Sequence, residues 1–383
     1  MIYLDNNATT RVAPEVFEAM QPYLREFFGN PSSAHTLGRE MKKAVEVARE
    51  QVALLLGAVD VNEIVFTSCG SESDNWAIRG VLATQPLKRH IITTQVEHEA
   101  VRNVCRLLEN DGYEVTWLGV SETGELNLDE LRSALRPDTA LVSIMLANNE
   151  TGVLFPIDQI GPIVRERSEA VFHVDGVQAA GKILIDLKNT EVDLFAISGH
   201  KLHAPQGIGA LYVRNNISLP PLIVGGAQEQ QRRAGTLAVP NIVALGAACR
   251  LAQSDGCHTQ IENLRDKLED GILEQIPNAR LNGPQDRAKR LPNTSNISFE
   301  HVEGQNVLLH LDQAGICVST GSACHSTTHE SSATLKAMNV PYTLAQGSIR
   351  FSLGRYNTDA EIETTLRVLP PIIEKLAAMS PYV

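Results

Sequence analysis

The sequence predicts an α/β protein built around a mainly parallel sheet. Strand-like apolar segments alternate with amphipathic helical segments over the first two thirds of the chain, which implies crossover connections and helices on both faces of the sheet. With 383 residues the chain exceeds what one compact core usually holds, so a large domain and a smaller one are expected. Apolar residues make up 43% of the chain and aromatic residues 5%, so aliphatic side chains should fill these cores.

The first part of the chain predicts an amphipathic helix followed by a strand. From Arg39 to Gly57 apolar residues recur on one helical face, and the glycine marks the end of the helix. The stretch "EIVFTS" predicts a strand, "CGS" a tight turn, and "ESDNWAIRGVL" the start of a helix. Further strands are predicted at "HIITT", "YEVTWL", "ALVSIML", "VFHVD", "DLFAIS" and "GALYVR", and further helices at 102–109, 129–135 and 157–167.

The order of elements changes near Gly256. A long helical stretch is followed by shorter strands such as "NISFE" and "SIRFSL", which predicts a smaller α/β unit in the C-terminal third. We predict a large domain over residues 12–256 and a small domain formed by residues 1–11 and 257–383.

The charge and the cysteine content of the chain argue against several classes of protein. The formal charge of −12 argues against nucleic acid or an anionic membrane as a partner, because both need a basic footprint. The first residues lack the apolar core of a secretory signal, and no apolar stretch approaches the ~20 residues that span a bilayer, so a cytoplasmic protein is expected. Free thiols without C-x-x-C pairs are predicted, with no disulfide framework and no intrinsic metal site, at Cys69, Cys105, Cys249, Cys257, Cys317 and Cys324.

A lysine between two strand-like segments is the strongest local signal. Lys201 stands in "AISGHKLHAPQGIGALYV", surrounded by small residues. A solvated surface lysine is the common alternative, but an amine that is desolvated or held near other cations becomes nucleophilic and can form a Schiff base. That chemistry suggests pyridoxal phosphate as the cofactor.

This cofactor needs a carboxylate at its ring nitrogen and a cradle for its phosphate. Asp175 ends the buried strand of "VFHVDGVQAAG", with Gln178 three residues further on, and a carboxylate there would be costly without a cationic partner. The alternative is that Asp175 only caps the next segment. The "TSCGSESDN" turn offers N–H groups at the start of a helix, where anions are favoured.

Other polar residues fall at positions suited to a ligand. His98 begins a helix after a strand, where it could cover a ring or be merely structural, and "LANNETG" places Asn148 and Asn149 at the end of another strand. Arg350 lies in an apolar strand pattern, where it needs an anion. Both a substrate carboxylate and a structural acid would satisfy it.

A lone cysteine in the small-residue stretch "VSTGSACHS" completes the set. Cys324 is predicted to be partly exposed, since a nucleophilic thiol acts as the thiolate and a thiol on a moving loop can travel. An inert role suits Cys317 better, because it lies in the apolar run "GICVS".

These blocks occur in the order of a known family. The sequence resembles the cysteine desulfurases of the pyridoxal-phosphate aminotransferase class V group over nearly its whole length. The "TSCG" and "RRAGT" forms and the end at "SPYV" look closest to the branch associated with nitrogen fixation. The matching blocks are "YLDNNATT", "FGNPSSAH", "FTSCGSESDN", "NNETG", "HVDGVQAAGK", "SGHKLHAPQG", "RRAGT", "STGSAC" and "SIRFSLGR".

The resemblance implies the fold-type I architecture, a homodimer and a role for each cofactor contact. Lys201 would form the internal Schiff base and carry protons, while Asp175 would face the pyridine nitrogen and Gln178 the ring hydroxyl. His98 would stack on the ring and handle protons, and Thr236 would reach the phosphate from the partner subunit. The remaining phosphate contacts would be Gly70, Ser71, Ser198 and His200.

The resemblance also implies the substrate and the destination of its sulfur. Asn149, which would contact the cofactor as well, and Arg350 would bind the carboxylate of L-cysteine. Cys324 in the small domain would accept the sulfur as a persulfide, pass it to an iron–sulfur scaffold or another acceptor protein, and transiently ligate an iron–sulfur cluster together with such a scaffold. Nitrogenase maturation is one expected destination.

Two other function classes stay open at this stage. An aminotransferase, or a lyase acting on selenocysteine or kynurenine, would share the fold but would not need Cys324. A non-enzymatic iron–sulfur carrier would need several converging cysteines and no pyridoxal phosphate.

Overall fold

The computed structural model describes residues 1–254, 257–320 and 332–379, and confirms the predicted α/β class with its mainly parallel sheet. The strands of the described residues are β1 Ile2–Tyr3, β2 Ile64–Thr67, β3 His90–Thr94, β4 Glu114–Leu118, β5 Thr139–Ser143, β6 Val171–Asp175, β7 Leu194–Ser198, β8 Gly209–Val213, β9 Ala279–Leu281, β10 Thr294–Phe299, β11 Ile316–Cys317, β12 Ser319–Thr320 and β13 Ser348–Ser352.

The helices account for most of the remaining regular structure. Within the described ranges they are α1 Pro14–Arg25, α2 Thr36–Leu56, α3 Gly70–Thr84, α4 Glu99–Asn110, α5 Leu128–Ala134, α6 Ile157–Arg167, α7 Val239–Ser254, α8 Cys257–Gln275, α9 Gly304–Gln313, α10 Ala333–Ala337, α11 Tyr342–Gln346 and α12 Asp359–Ala378. None of these helices is long and apolar enough to cross a membrane.

The main sheet has seven strands in the order β2-β8-β7-β6-β5-β3-β4. Strand β8 is antiparallel to both of its neighbours, and every other neighbouring pair is parallel. The carboxyl ends of the like-directed strands therefore meet at one edge of the sheet, which is where open α/β sheets bind ligands.

Helices cover both faces of this sheet, as the alternation of elements predicted. Alternate residues of one strand enter different cores: Ile64 and Phe66 pack on one face, and Val65 on the other. The first core includes α2 and α7, and the second includes α3 and α4. Burying both faces explains why the strands read as continuous apolar runs.

One helix boundary agrees with the prediction from sequence and another does not, and local contacts explain both. Helix α2 ends as predicted, with Gly57 in the left-handed region at φ 62°, a conformation that glycine adopts without strain. The predicted tight turn at residues 69–71 is wrong, because α3 already begins at Gly70. Glu72 accepts a hydrogen bond from the Ser68 N–H at 2.7 Å, and this contact closes the first turn of the helix.

A second sheet lies in the C-terminal third and is antiparallel, in the order β12-β13-β10-β9. Its core contains residues of α8, α9 and α12 together with Leu4 from the N-terminal segment, and β1 pairs with β11. The domain division at residues 256 and 257 stays a prediction, since residues 255 and 256 lie outside the described ranges.

Candidate active site

Polar side chains from the carboxyl ends of the parallel strands surround a cavity of about 440 Å³. This volume falls within the ~300–1,000 Å³ typical of small-molecule sites. The structure brings together most of the residues that the sequence singled out. Those that line the cavity are Gly70, Ser71, His98, Asn149, Asp175, Gln178, Ser198, His200, Lys201 and Arg350.

Lys201 projects from a short 3₁₀ turn between β7 and β8. Its Nζ donates to the carbonyl oxygens of Asn7 at 2.5 Å and Ala8 at 2.6 Å. Burial, aided by the positive charge of Arg350, lowers the pKa of Lys201 to about 8. An amine with this pKa is partly neutral near pH 8, which is the form that attacks a carbonyl group.

Asp175 ends β6 and is only 5% exposed. Its Oδ1 accepts a hydrogen bond from the Val177 N–H at 2.9 Å, so the capping role considered from sequence is real for one of its two oxygens. Burial raises the pKa of Asp175, while the nearby His98 and Lys201 act in the opposite direction. A cation facing this carboxylate would offset the remaining cost of burial.

Two histidines, His98 and His200, line the cavity. His98 is the N-cap of α4, and its Nδ1 accepts from the Ala100 N–H at 3.2 Å. The proton of a neutral His98 ring is therefore on Nε2. His200 Nδ1 lies 3.1 Å from Thr9 Oγ1, and burial lowers the pKa of His200 to about 4, so this ring is neutral at pH 7.

The start of α3 forms an anion-binding corner. Gly70 and Ser71 are its first residues, so their N–H groups have no acceptor inside the helix. A Cβ at Gly70 would lie 2.8 Å from Val177 Cγ2 and 3.5 Å from Ser198 Cβ. Glycine at this position therefore avoids a clash with the Val177 side chain, while the distance to Ser198 would be an ordinary contact.

Arg350 lies in β13 and reaches the same cavity from the second sheet. Its guanidinium donates to the Asn149 carbonyl oxygen at 2.8 Å and to Asp5 Oδ1 at 2.8 Å. The structural acid considered from sequence is therefore Asp5, which sequence reasoning did not assign. Arg350 Nε is buried without a hydrogen-bond partner among the described residues, so the side chain keeps donor capacity for a ligand.

The two neighbouring amides have different positions. Asn148 is 1% exposed and holds the turn, since its Oδ1 accepts from the N–H groups of Glu150 and Thr151, both at 2.9 Å. Asn149 lines the cavity. Only the second of the predicted pair can therefore contact a ligand there.

Two predicted site residues are not among the cavity residues of this chain. Thr236 is exposed and does not line the cavity, which is compatible with its predicted reach toward a partner subunit. Cys324 lies in 321–331, outside the described residues. On either side of that range, Ser319 is opposite Arg350 in the sheet, and Ser332 and Thr334 both donate to the Glu150 carboxylate.

Two buried acids, Asp74 and Glu97, were not predicted as part of the site from the sequence. Asp74 lines the cavity, and its Oδ1 lies 3.5 Å from His173 Nε2. Burial and the charges of Asp175 and Glu97 raise the pKa of Asp74 well above its usual value. In the sequence these acids stand within ordinary helix and loop patterns, so only the fold reveals their proximity.

Glu97 should make the free energy of unfolding depend on pH. Its Oε1 accepts from Thr94 Oγ1 at 2.8 Å and from the Met145 N–H at 3.0 Å, and burial raises its pKa from 4.5 to about 8. Between these values the folded protein holds a proton that the unfolded chain has released, so stability falls as pH rises from about 4.5 to about 8.

Glu97→Gln removes this titration and should flatten the pH dependence by an amount on the order of a few kcal/mol, measured by urea denaturation at several pH values. Glu122→Gln, at an exposed site, is the control and should leave the slope unchanged. An unaltered slope in Glu97→Gln would show that Glu97 is ionised in the folded protein.

The comparison with known proteins identifies the family. The model of the aminotransferase class-V family matches residues 2–365. The chain belongs to the aminotransferase class-V family. Cysteine desulfurase 2 of Trichormus variabilis is 57% identical over 383 residues, covering 100% of this chain and 95% of the relative. Cysteine desulfurase NifS of Azotobacter vinelandii is 48% identical, covering 100% of this chain and 94% of the relative.

Solved structures agree with this class-V membership. A NifS-like protein aligns with a TM-score of 0.91 and 40% identity, covering 98% of this chain and 99% of the other. A structure of SspA in complex with cysteine aligns with a TM-score of 0.82 and 36% identity, covering 94% of this chain and 100% of the other. The predicted family and the fold-type I architecture are confirmed.

The residues present fit pyridoxal phosphate, the cofactor predicted for this class-V protein. The cavity supplies an amine of lowered pKa at Lys201, a buried carboxylate at Asp175 and the N–H groups at the start of α3. These groups match the three demands of the cofactor: covalent attachment, a partner for the ring nitrogen and a cradle for the phosphate.

Proposed function

We propose that this protein is a pyridoxal-phosphate-dependent cysteine desulfurase, which converts L-cysteine to L-alanine and transfers the sulfur to Cys324. The observation that carries the proposal is the placement of Lys201, with its lowered pKa, in one cavity with Asp175 and Arg350. Relatives 48–57% identical over the full chain that are named cysteine desulfurase support the reaction assigned to it.

Pyridoxal phosphate supplies an electron sink for the carbon atom that carries the substrate amine. Asp175 would hold its ring nitrogen and Gln178 its ring hydroxyl, and His98 would cover the ring. The phosphate would be held by Gly70, Ser71, Ser198 and His200 of one subunit and by Thr236 of the other. Fixed donors of this kind orient a ligand without having to reorganise during the reaction.

The substrate would be positioned by its carboxylate. Arg350 would bind that group with two N–H donors, and Asn149 would contact the same carboxylate. The Lys201 amine would take the proton from the α-carbon and return it to the product, because it is the one general base in the described residues of the cavity with a pKa of about 8.

Sulfur transfer would need the thiolate of Cys324. Its sulfur attacks the substrate sulfur, an S–S bond forms, and the C–S bond breaks with its electron pair left on the β-carbon. That carbon then takes a proton, so L-cysteine and the enzyme thiol become L-alanine and an enzyme persulfide. We propose that this persulfide supplies iron–sulfur cluster assembly, and that nitrogenase maturation is one destination.

The assembly and setting of the enzyme belong to the same proposal. A homodimer would bring the exposed Thr236 of one subunit to the cavity of the other. Residues 12–256 would form the domain that binds the cofactor, and residues 1–11 with 257–383 the domain that carries Cys324. We propose in addition that the enzyme is cytoplasmic and that its sulfur acceptor is an iron–sulfur scaffold protein.

A product assay tests the reaction. Purified protein with pyridoxal phosphate, L-cysteine and a reducing thiol is expected to release alanine and sulfide in equal amounts. L-Selenocysteine, kynurenine and an amino acid paired with a 2-oxo acid are the matched comparisons. Alanine formed from L-selenocysteine but not from L-cysteine, or amino transfer without sulfide release, would assign the protein to the lyases or the aminotransferases instead.

A further inference from the structure

A second lysine, Lys182, is half-buried and is hydrogen-bonded to residues of the catalytic cavity. Lys182 Nζ donates to Gln178 Oε1 at 2.8 Å and to Asn7 Oδ1 at 2.9 Å. It lines a separate small cavity of about 50 Å³ and is not among the residues lining the catalytic one, whereas Lys201 lines both. Lys182 therefore has no direct path to a ligand in the catalytic cavity, although its hydrogen-bond partner Gln178 does.

Lys182, Gln178 and Asn7 form one hydrogen-bond network, and the other contacts of Asn7 fix its position in that network. Asn7 is 1% exposed, and its Nδ2 donates to Thr294 Oγ1 at 2.9 Å. Its Oδ1 also accepts from Asn293 Nδ2 at 3.1 Å, so the amide cannot turn over without losing several bonds. Asn7 thus presents an oxygen to Lys182 independently of Gln178.

The amide of Gln178 is then oriented by Lys182. An ammonium group has three donors and no acceptor, and a neutral amine still has two N–H groups for these two oxygens. With Oε1 held by Lys182, Gln178 Nε2 faces the other way and donates to the Asn7 carbonyl oxygen at 3.0 Å. Turning the amide over would set its NH₂ group against the N–H groups of Lys182, which buried polar groups do not tolerate.

We propose that Lys182 is a positioning residue that acts through Gln178, an inference that rests on the proposed function. By holding Gln178 Oε1, it keeps the second N–H of Nε2, the one not bonded to the Asn7 carbonyl oxygen, available at the catalytic cavity for the ring hydroxyl oxygen of pyridoxal phosphate. A donor at that oxygen favours its deprotonated form, so Lys182 sets the protonation behaviour of the bound cofactor without touching it. The removal of Lys182 from water, which lowers its pKa, is consistent with its enclosure in the network.

Lys182→Met tests this role in the holoenzyme, because methionine keeps the length of the side chain and removes the donors. Two measurements are made: the dissociation constant for pyridoxal phosphate, and the pH midpoint of the visible absorbance of the bound cofactor. We expect cofactor binding to weaken by about tenfold and the midpoint to rise. Lys188→Met, at an exposed lysine that follows in the same segment, is the control and should change neither quantity.

A double-mutant cycle separates the positioning role from a structural one. In the Gln178→Leu background, Lys182→Met should alter the dissociation constant by less than about twofold and leave the midpoint unchanged. Gln178→Glu, which lacks the donor but keeps Lys182, should raise the midpoint as Lys182→Met does, and it provides the test should Lys182→Met fail to fold. Effects of the two single variants that add in the double variant would overturn the proposal, as would a Gln178→Glu midpoint equal to that of the wild type.

Failure of this inference is distinguishable from failure of the proposed function. If wild-type protein binds pyridoxal phosphate and makes alanine from L-cysteine while Lys182→Met is unchanged, only the role of Lys182 is wrong. If wild-type protein does not bind the cofactor, the proposed function itself falls.

Discussion

Lys201→Ala is expected to lower the rate of alanine formation from L-cysteine by roughly three orders of magnitude or more. In the proposed mechanism one amine has two duties: it attaches the cofactor and it moves the α-proton. Both need a group that is nucleophilic near neutral pH, which the burial of Lys201 and its closeness to Arg350 provide. No other lysine lines the catalytic cavity among the described residues.

The variant is measured by alanine release and by the cofactor absorbance of the purified protein. It should retain pyridoxal phosphate only by reversible binding, since Asp175 and the start of α3 remain, and reduction with borohydride should fix none of it to the protein. Lys188→Ala serves as the matched control and should behave as wild type. Activity within tenfold of wild type in Lys201→Ala would mean that another amine attaches the cofactor.

Cys324→Ser is expected to separate cofactor binding from sulfur transfer. The variant should bind pyridoxal phosphate with unchanged absorbance, because none of the described cavity residues is altered. Sulfide and alanine release from L-cysteine should fall by roughly three orders of magnitude, since a serine hydroxyl is not ionised at neutral pH and cannot accept the sulfur.

Cys317→Ser is the matched control for the sulfur-transfer prediction. Burial raises the pKa of the Cys317 thiol, so it is protonated at neutral pH and should not contribute. The pair is measured by sulfide release and by alkylation of the protein after reaction with L-cysteine without reductant. Full sulfide release from Cys324→Ser, or its loss from Cys317→Ser, would assign the sulfur acceptor to a different thiol.

The sequence allowed the parts of the site that follow strand ends to be predicted. Lys201 and Asp175 could be found because Asp175 is the last residue of a buried strand and Lys201 lies in the short turn that follows another, and parallel strands bring their carboxyl ends to one edge. His98 could be placed because a polar residue between a strand and a helix commonly acts as the N-cap.

Contacts between distant parts of the chain could not be predicted in this way. The ion pair between Arg350 and Asp5 joins residues 345 positions apart, and it exists only because the N-terminal segment packs beside β13. The Lys182 network was missed for the same reason, since Asn7 and Gln178 are 171 positions apart. The proposed role of Thr236 depends on a second subunit, and the sequence pattern of one chain carries no direct signal for it.

Covalent attachment of the cofactor is the claim on which the rest depends, and it can be measured directly. Wild-type protein loaded with pyridoxal phosphate is reduced with borohydride, digested, and each lysine-containing peptide is weighed by mass spectrometry. The reduced cofactor should be found on Lys201 alone, at close to one per chain. Attachment at Lys182, or protein that carries no cofactor after reduction, would contradict the assignment of Lys201 and with it the proposed reaction.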